Sequence, residues 1–245
     1  ETLAESIADL RAGVSNLHSV ERRNLGDLSQ WCHSAIHLQC ASGHDTLSLV
    51  LEGVQHVTGI DISDVHIENA HRLSRETGMA AEWIRCDVLD TPGELNGSAD
   101  LVYTGRGAMC WIQDLTAWAA VVARLLRPGG VFHVLDDHPV TWLFRQDTSD
   151  LQASGVDYLD HWESNKGWSE SYLGNLGKPV SEEARKYEKL WPLGRIVQAL
   201  IDAGLRIEQV GEHPEPYWDS MPELKEEYRR LLPMTFSVKA RKPMD

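Results

Sequence analysis

Short apolar runs along this chain alternate with longer segments in which apolar residues recur every three or four positions. Runs of four to seven residues with this content are typical of buried strands, and the longer pattern is typical of amphipathic helices. Strands that alternate with helices build a parallel sheet covered by helices on both faces. The pattern predicts an α/β fold with seven strands, at 35–40, 56–61, 82–86, 99–104, 131–135, 205–210 and 234–240.

The segments between these runs carry recognisable helix ends. Ser63 or Asp64 can cap a helix that Gly78 would end, because glycine readily adopts the left-handed conformation of a C-terminal cap. Apolar residues at helical spacing then run from Leu115 to Leu126, up to the turn Arg127-Pro128-Gly129-Gly130. Two further helices are predicted, at 45–51 and 193–201.

Two segments depart from the alternation of strands and helices. Residues 1–30 are helical in pattern and polar, and no linker separates them from the rest. Residues 139–191 show little periodicity and contain several tryptophans and tyrosines. These aromatic residues can form the walls of a pocket for an aromatic or cationic acceptor, or they can supply the core of the segment itself. We predict one domain over 1–245, with 139–191 as an aromatic-rich insertion that covers the active site.

The charge of the chain limits its partners. Lys and Arg number 23 against 37 Asp and Glu, which gives a formal charge of -14. A field of that sign repels phosphate backbones, and the sequence has no compensating basic stripe. We therefore expect a small-molecule substrate rather than a nucleic acid, and the sequence gives no indication of oligomeric state.

The four cysteines lie far apart, without a CxxC pair. This distribution favours free thiols in a reducing compartment and gives no zinc or other metal site. Cys40 and Cys86 are interpreted as small packing residues. The chain opens with acidic residues where a signal peptide would be basic, and it lacks the roughly 20 apolar residues of a membrane span. The expected location is the cytoplasm.

Polar residues follow the first three predicted strands. The first strand leads into the tight turn of HLQCASGHDTL, the second ends in Asp61, and the third ends just before Asp87. A carboxylate at position 61 can accept hydrogen bonds from both hydroxyls of a ribose, and a second at position 87 can meet an adenine amino group. Open α/β sheets bind ligands at the carboxyl ends of their strands, so these groups would share one site. Asp61 could alternatively serve only as a helix cap.

A set of motifs in the first part of the chain resembles a known family. HLQCASGHDTL, VTGIDIS, CDV, DLVYTGRGAMCWIQDL and RLLRPGGVFHV occur in the order found in class I S-adenosylmethionine-dependent methyltransferases, over about residues 35–138. The segments LIDAGLRIEQV and FSVKARKP resemble the closing helix and strands of that family. The first motif is similar to that of small-molecule or uncharacterised bacterial members. The resemblance implies a Rossmann-like, mostly parallel seven-stranded sheet with an antiparallel last strand.

The resemblance also implies S-adenosylmethionine as cofactor and a set of residues that contact it. The family's first turn has an acidic residue followed by GxGxG, whereas His37, Gln39, Ala41 and Gly43 stand at those places here. Only the last glycine is kept, and the loss of the acid leaves open which residue holds the cofactor's amino group. His37 is interpreted as a core or supporting residue. The predicted cofactor contacts are Gln39, Ala41, Ser42, Gly43, Asp61, Ile62, Asp87, Val88, Thr104 and Gly105.

Residues around the fourth strand and the insertion are candidates for substrate binding. Arg106 stands between two glycines and could hold a carboxylate of the cofactor or of the substrate, or it could form a surface ion pair. Trp111 could line the methyl-transfer pocket or pack beneath the next helix. Trp142, in the aromatic insertion, is a further substrate-binding candidate.

His138 follows the fifth strand and is the candidate catalytic residue. A histidine at this edge could remove a proton from a hydroxyl or amine, or bind the substrate. It could instead fix the loop by hydrogen bonds, and Asp136 and Asp137 compete for the role of base. Methyl transfer is an in-line displacement, so alignment and desolvation can supply much of the rate without a base.

These observations lead to a functional hypothesis and two alternatives. We expect S-adenosylmethionine-dependent methyl transfer to a small molecule, with oxygen or nitrogen as the favoured acceptor atom. A methyltransferase-like domain that has lost catalysis and serves binding or regulation is the first alternative. A nicotinamide-dependent oxidoreductase is the second, although the turn QCASGHD lacks the GxGxxG spacing of such enzymes.

Overall fold

A seven-stranded sheet lies at the centre of the computed structural model, which describes residues 2–166 and 185–244. The order of strands across the sheet is β3-β2-β1-β4-β5-β9-β8, and β6 and β7 form a separate two-stranded sheet. The strands are β1 Ser34–Leu38, β2 His56–Asp61, β3 Glu82–Arg85, β4 Ala99–Gly105, β5 Leu126–Asp137, β6 Trp162–Lys166, β7 Arg185–Lys189, β8 Arg206–His213 and β9 Thr235–Arg241.

The first five strands run parallel, and β9 runs antiparallel between β5 and β8. The predicted Rossmann-like architecture, with an antiparallel last strand, is confirmed. The chain goes from β1 to β2 on one side and later returns to β4 on the other, so the strand order reverses at β1. Such a reversal opens a crevice at the carboxyl ends of the strands.

Most helices begin and end where the sequence predicts. Ser63 accepts a hydrogen bond from the His66 N–H at the start of α4, and Gly78 ends that helix with a φ of 71°. No helix in the two described ranges is long and apolar enough to cross a membrane. The helices are α1 Leu3–Arg11, α2 Ser19–Leu25, α3 His44–Leu51, α4 Asp64–Thr77, α5 Leu115–Leu125, α6 Leu193–Asp202 and α7 Glu226–Arg229.

The start of β5 differs from the prediction. Residues 127–130 were expected to form only a turn before a strand at 131, but β5 begins at Leu126, opposite Ala99 of β4. An irregularity in the pairing follows, and the Gly129 N–H donates to the Lys242 carbonyl beyond β9. The Pro-Gly-Gly sequence therefore bends an existing strand rather than preceding one.

The two faces of the sheet differ in polarity. On one face, α5 and α6 pack a continuous apolar core around Trp118 and Phe132. On the other, the rings of His37, Tyr103 and His133 lie side by side on neighbouring strands. Helix α2 covers this polar row: the Tyr103 hydroxyl donates to the buried Glu21 carboxylate at 2.6 Å. The helical N-terminal segment is thus held to the sheet by buried hydrogen bonds as well as by apolar contacts.

The aromatic segment 139–191 is described only in part. A short 3-10 helix spans Pro139–Leu143, and the β6–β7 hairpin packs near the loop after β4. The Gln113 side chain donates to the Tyr187 carbonyl at 3.0 Å, and the Trp191 indole N–H donates to the Ile112 carbonyl at 2.8 Å. Trp168 and Tyr172 lie outside the described residues. The role of the segment as a cover of the active site stays a prediction.

Candidate active site

A cavity of about 630 Å³ lies at the carboxyl ends of the central strands. Its walls come from the turn after β1, the ends of β2 and β3, and the loop after β4. This volume is within the range of small-molecule and cofactor pockets, about 300–1,000 Å³. Nine of the predicted ligand residues line it: Gln39, Ala41, Asp61, Ile62, Asp87, Val88, Gly105, Arg106 and Trp111.

Three predicted cofactor residues do not line this cavity. The Ser42 hydroxyl lies 3.0 Å from Nδ1 of His66, and Thr104 is fully buried with its hydroxyl donating to the Leu38 carbonyl. Gly43 has a φ of 87°, and a Cβ atom there would lie 2.5 Å from the Trp83 ring. Position 43 therefore needs glycine for packing, and Thr104 supports the wall from its buried side.

The turn after β1 keeps a glycine-like backbone without its first two glycines. Gln39 has a φ of 56° and Ala41 has a φ of 46°, both in the left-handed region that residues with a Cβ atom rarely adopt. The Gln39 amide donates to the Ala108 carbonyl at 2.8 Å, which joins this turn to the loop after β4. Strained backbone of this kind costs about 1–3 kcal/mol per residue and tends to occur at functional sites.

Asp61 and Asp87 face the cavity from the ends of adjacent strands. Asp61 accepts hydrogen bonds from the N–H groups of Ala41, at 2.8 Å, and Ser63, at 2.9 Å. It therefore joins β2 to the first turn, while Ser63 caps α4. Asp87 is exposed and caps a 3-10 helix by accepting from the Leu89 N–H at 2.9 Å. Both carboxylates retain lone pairs for a ligand.

An ion pair that the sequence does not indicate lies in the same wall. Arg106, with a φ of 56°, forms a salt bridge with Asp45 of α3, and both residues line the cavity. Asn16 supports the pair: its carbonyl accepts from Arg106 at 2.9 Å and its amide donates to Asp45 at 2.8 Å. Asp45 was interpreted only as the start of a helix. The ion-pair alternative for Arg106 is therefore present, but in the pocket wall rather than on the open surface.

The cavity is equipped to bind a polar ligand that also carries an apolar ring. Carboxylates stand at two strand ends, and the exposed side chains of Ile62 and Trp111 offer apolar surface beside them. Within residues 2–166 and 185–244, no group of three or more His, Cys, Asp or Glu side chains could hold a metal ion. The residues present fit a nucleoside that carries a charged extension.

Comparison with known proteins agrees with this geometry. Residues 35–130 match the methyltransferase domain family. Residues 35–130 thus form a methyltransferase domain of the class I S-adenosylmethionine-dependent type. S-adenosylmethionine is accordingly its cofactor.

Individual proteins support the assignment to different extents. A malonyl-[acyl-carrier protein] O-methyltransferase of Hahella chejuensis is 40% identical over 70 residues, which is 29% of this chain and only 24% of that relative. An S-adenosylmethionine-dependent methyltransferase of Mesorhizobium loti is 21% identical, with a TM-score of 0.61 over 91% of this chain and 96% of that one. A putative S-adenosylmethionine-dependent methyltransferase of Listeria monocytogenes is 22% identical, with a TM-score of 0.62 over 91% of this chain and 97% of that one. The two structures establish the likeness of fold.

Two thiols and one imidazole in the wall of the methyltransferase pocket are held in their neutral forms. Burial raises the pKa of the Cys40 thiol, and burial together with the Asp90 carboxylate raises that of Cys86. Burial and the nearby Arg106 charge lower the pKa of His37 to about 3, and its Nδ1 lies 2.8 Å from the Thr46 hydroxyl. At the place of the family's acid, this methyltransferase therefore carries an uncharged ring.

A second, smaller cavity of about 40 Å³ adjoins the first, and Gly107 lines both. Asp136 and Asp137, from the end of β5, face this second cavity together with Trp142 and Lys189. Trp142 thus lies beside the smaller cavity instead of the cofactor pocket. The sequence places these two carboxylates at the sheet edge but gives no sign that they are enclosed.

The two carboxylates bind different partners. Asp136 is buried and accepts from four backbone N–H groups at 2.7–3.0 Å, those of Gly107, Ala108, Met109 and Asp137. Asp137 accepts from the Tyr217 hydroxyl at 2.6 Å and from the Trp218 indole at 3.0 Å. Burial and the adjacent Asp136 charge raise the pKa of Asp137 to about 7. Asp136 holds the loop after β4, whereas Asp137 can gain or lose a proton near neutrality.

His138 lines neither cavity. Its Nδ1 accepts from the Val140 N–H at 3.1 Å, and its Nε2 lies 2.8 Å from the Glu212 carboxylate. Burial lowers the pKa of this ring, and Glu212 partly offsets that effect. Both ring nitrogens of His138 are thus engaged, an arrangement that favours the loop-fixing alternative over the role of a base.

Proposed function

We propose that this methyltransferase transfers the methyl group of S-adenosylmethionine to a small-molecule acceptor, with oxygen or nitrogen as the accepting atom. The observation that carries the proposal is the pair Asp61 and Asp87, which face one cavity from adjacent strand ends. Asp61 would accept hydrogen bonds from the ribose hydroxyls, and Asp87 would accept one from the adenine amino group. The strained turn at Gln39 and Ala41 would lie along the rest of the cofactor.

The reaction needs alignment more than it needs proton transfer. When bound, the cofactor would supply a methyl group on a sulfonium for attack by the acceptor's lone pair, with S-adenosylhomocysteine as the leaving group. The acceptor's proton goes to water or to a nearby base. Fixed walls that orient the acceptor and exclude water can supply several kcal/mol of the barrier reduction.

The second cavity is our candidate for the reactive end of the acceptor. Gly107 lines both this cavity and the cofactor pocket, and Asp137 is a group in it that can take a proton at neutral pH. Asp137 is therefore a better candidate base than His138. The formal charge of -14 further supports a small molecule over a nucleic acid. The Hahella relative acts on oxygen by name, but its short match carries no argument about the acceptor.

Titration calorimetry with S-adenosylmethionine, followed by measurement of S-adenosylhomocysteine released from a panel of hydroxy and amino metabolites, tests the proposal. Asp61→Ala should weaken cofactor binding, whereas Asp64→Ala, three residues along the chain, should leave it unchanged and serves as the matched control. Binding without turnover on any acceptor would favour a catalytically inactive binding domain. Binding of a nicotinamide dinucleotide in place of S-adenosylmethionine would overturn the proposal.

A further inference from the structure

The methionine end of S-adenosylmethionine carries an ammonium and a carboxylate, and the usual acidic residue for it is missing here. His37 stands at that place, is 3% exposed and is uncharged. A neutral buried ring cannot offset the charge of an ammonium group. Another carboxylate in the cavity wall is therefore needed for a tightly bound cofactor.

The order of strands indicates where that carboxylate should be. Asp87, Asp61, the turn after β1 and Arg106 follow β3, β2, β1 and β4, which are consecutive neighbours in the sheet. Neighbouring strands lie about 4.8 Å apart, so this row extends about 14 Å along the crevice. With adenine at Asp87 and ribose at Asp61, the amino acid end reaches the β4 side. Asp45 and Arg106 line the cavity on that side.

We propose that Asp45 and Arg106 together bind the amino acid end of the cofactor, with Asp45 on the ammonium and Arg106 on the carboxylate. The inference rests on the proposed function. A fixed pair of opposite charges is complementary to a zwitterion, because each charge of the ligand meets a side chain of opposite charge. The two side-chain charges also cancel, so the wall carries no net charge there.

Hydrogen bonds with Asn16 and the backbone conformation at Arg106 fix the positions of both side chains before a ligand binds. Asn16 bonds both members, and the Arg106 side chain is only 12% exposed, so its position is well defined. The left-handed backbone at Arg106, between Gly105 and Gly107, turns the side chain back toward α3. The Nε atom of Arg106 is buried and has no hydrogen-bond partner among the described residues, which leaves it a donor for a carboxylate.

The alternative role is purely structural, because Asn16 belongs to the N-terminal segment and the pair also joins that segment to the sheet. Two ligands distinguish the roles. S-adenosylhomocysteine has the amino acid end, whereas 5′-deoxy-5′-methylthioadenosine has the same nucleoside and thioether without it. A zwitterion clamp affects only the first ligand, while a structural latch affects both equally.

The experiment is calorimetric titration of Asp45→Asn with both ligands. We expect the affinity for S-adenosylhomocysteine to fall about 10- to 100-fold, the effect of losing a charge-assisted hydrogen bond, and that for methylthioadenosine to change less than about twofold. Asp61→Ala is the control, and it should weaken the binding of both ligands. Asn16→Ala removes the support but leaves both charges, and should weaken S-adenosylhomocysteine binding less than Asp45→Asn does.

Equal losses for both ligands, or an unchanged affinity for S-adenosylhomocysteine, would overturn the clamp. If Asp45→Asn does not fold, Arg106→Lys keeps the positive charge but lacks the guanidinium fork, and the same selective loss is expected from it. A parent protein that binds neither ligand contradicts the proposed function itself. A parent that binds both ligands equally well contradicts only the clamp.

Discussion

Two pairs of aspartates stand at the same edge of the sheet and do different things. Asp61 and Asp87 face a wide cavity, and each accepts backbone hydrogen bonds while keeping lone pairs toward the open space. Asp136 and Asp137 face a small cavity and are surrounded by donors from the protein itself. The first pair is suited to a ligand, whereas Asp136 of the second pair organises the wall next to it.

The difference lies in which neighbours the fold brings to each carboxylate. At Asp136, the loop after β4 aims three successive N–H groups at one side chain. At Asp137, Tyr217 and Trp218 arrive from the segment between β8 and β9. A strand-end carboxylate is therefore best suited to bind a ligand where the chain leaves some of its lone pairs directed at open space.

Removal of the Asp136 carboxylate should have the largest effect. Asp136→Ala leaves four backbone N–H groups without their acceptor, and we expect the free energy of unfolding to fall by about 3–5 kcal/mol. Urea denaturation measures this loss. The exposed Glu94→Gln is the control and should change stability by less than about 0.5 kcal/mol. A loss for Asp136→Ala as small as that of the control would remove the distinction between the two pairs.

The same change in the first pair, Asp61→Ala, should mainly affect the binding of the cofactor. We expect a loss of about 1.5–3 kcal/mol in the binding free energy of S-adenosylmethionine, the range for a charge-assisted hydrogen bond. Part of this loss comes from the Ala41 N–H, which loses its acceptor and with it the shape of the first turn. Calorimetry on the folded variant measures it, and undiminished affinity would mean that the ribose lies elsewhere.

The pH dependence of stability sharpens the comparison at Asp137. Its pKa of about 7 in the folded protein lies above the ordinary value of 3.8, so the folded state binds more protons than the unfolded chain between about pH 4 and 7. Stability is therefore lost as pH rises through this window, by up to about 1.4 kcal/mol per unit. Asp137→Asn cannot ionise and should lose this slope.

Denaturation of the parent and of Asp137→Asn at pH 5 and pH 7 provides the measurement. The stability of the variant relative to that of the parent should be higher at pH 7 than at pH 5. A difference that stays constant with pH would show that Asp137 is ionised throughout, like an ordinary exposed carboxylate.

His138 should give the smallest effect. His138→Ala removes the bonds to Val140 and Glu212, and we expect a loss of about 1–2 kcal/mol in stability. Cofactor affinity should be unchanged, since the ring lines neither cavity. His138→Asn, with a side chain that can still cap the 3-10 helix, should recover part of the stability. A neutral-pH limb of the rate profile that disappears in both variants would restore His138 as the base.

Local features of the sequence predicted much of the fold. β2 has the predicted bounds, Ser63 caps α4, and Gly78 ends it. Each of these depends on a few adjacent residues, whose periodicity and capping chemistry are visible in the sequence. The position of Asp61 at a strand end is local in the same sense, so its place at the cavity could also be predicted.

Long-range contacts account for what the sequence did not reveal. Asp45 is a site residue because Arg106 adopts a left-handed backbone conformation and turns toward α3, and nothing near position 45 indicates this. Tyr217 and Trp218 lie in a segment without clear periodicity, yet they determine the environment of Asp137. The burial of a charged group depends on what packs over it, which is a property of the whole fold.

The two thiols in the pocket wall, buried Cys40 and half-buried Cys86, bear on whether the protein methylates itself. A thiolate next to a sulfonium is a competing nucleophile, and it would be alkylated at the expense of the substrate. Cys40 and Cys86 both line the pocket, but their raised pKa values keep them protonated, and a thiol attacks far more slowly than a thiolate. The protonated state of these two thiols thus lowers the rate at which the protein would methylate itself.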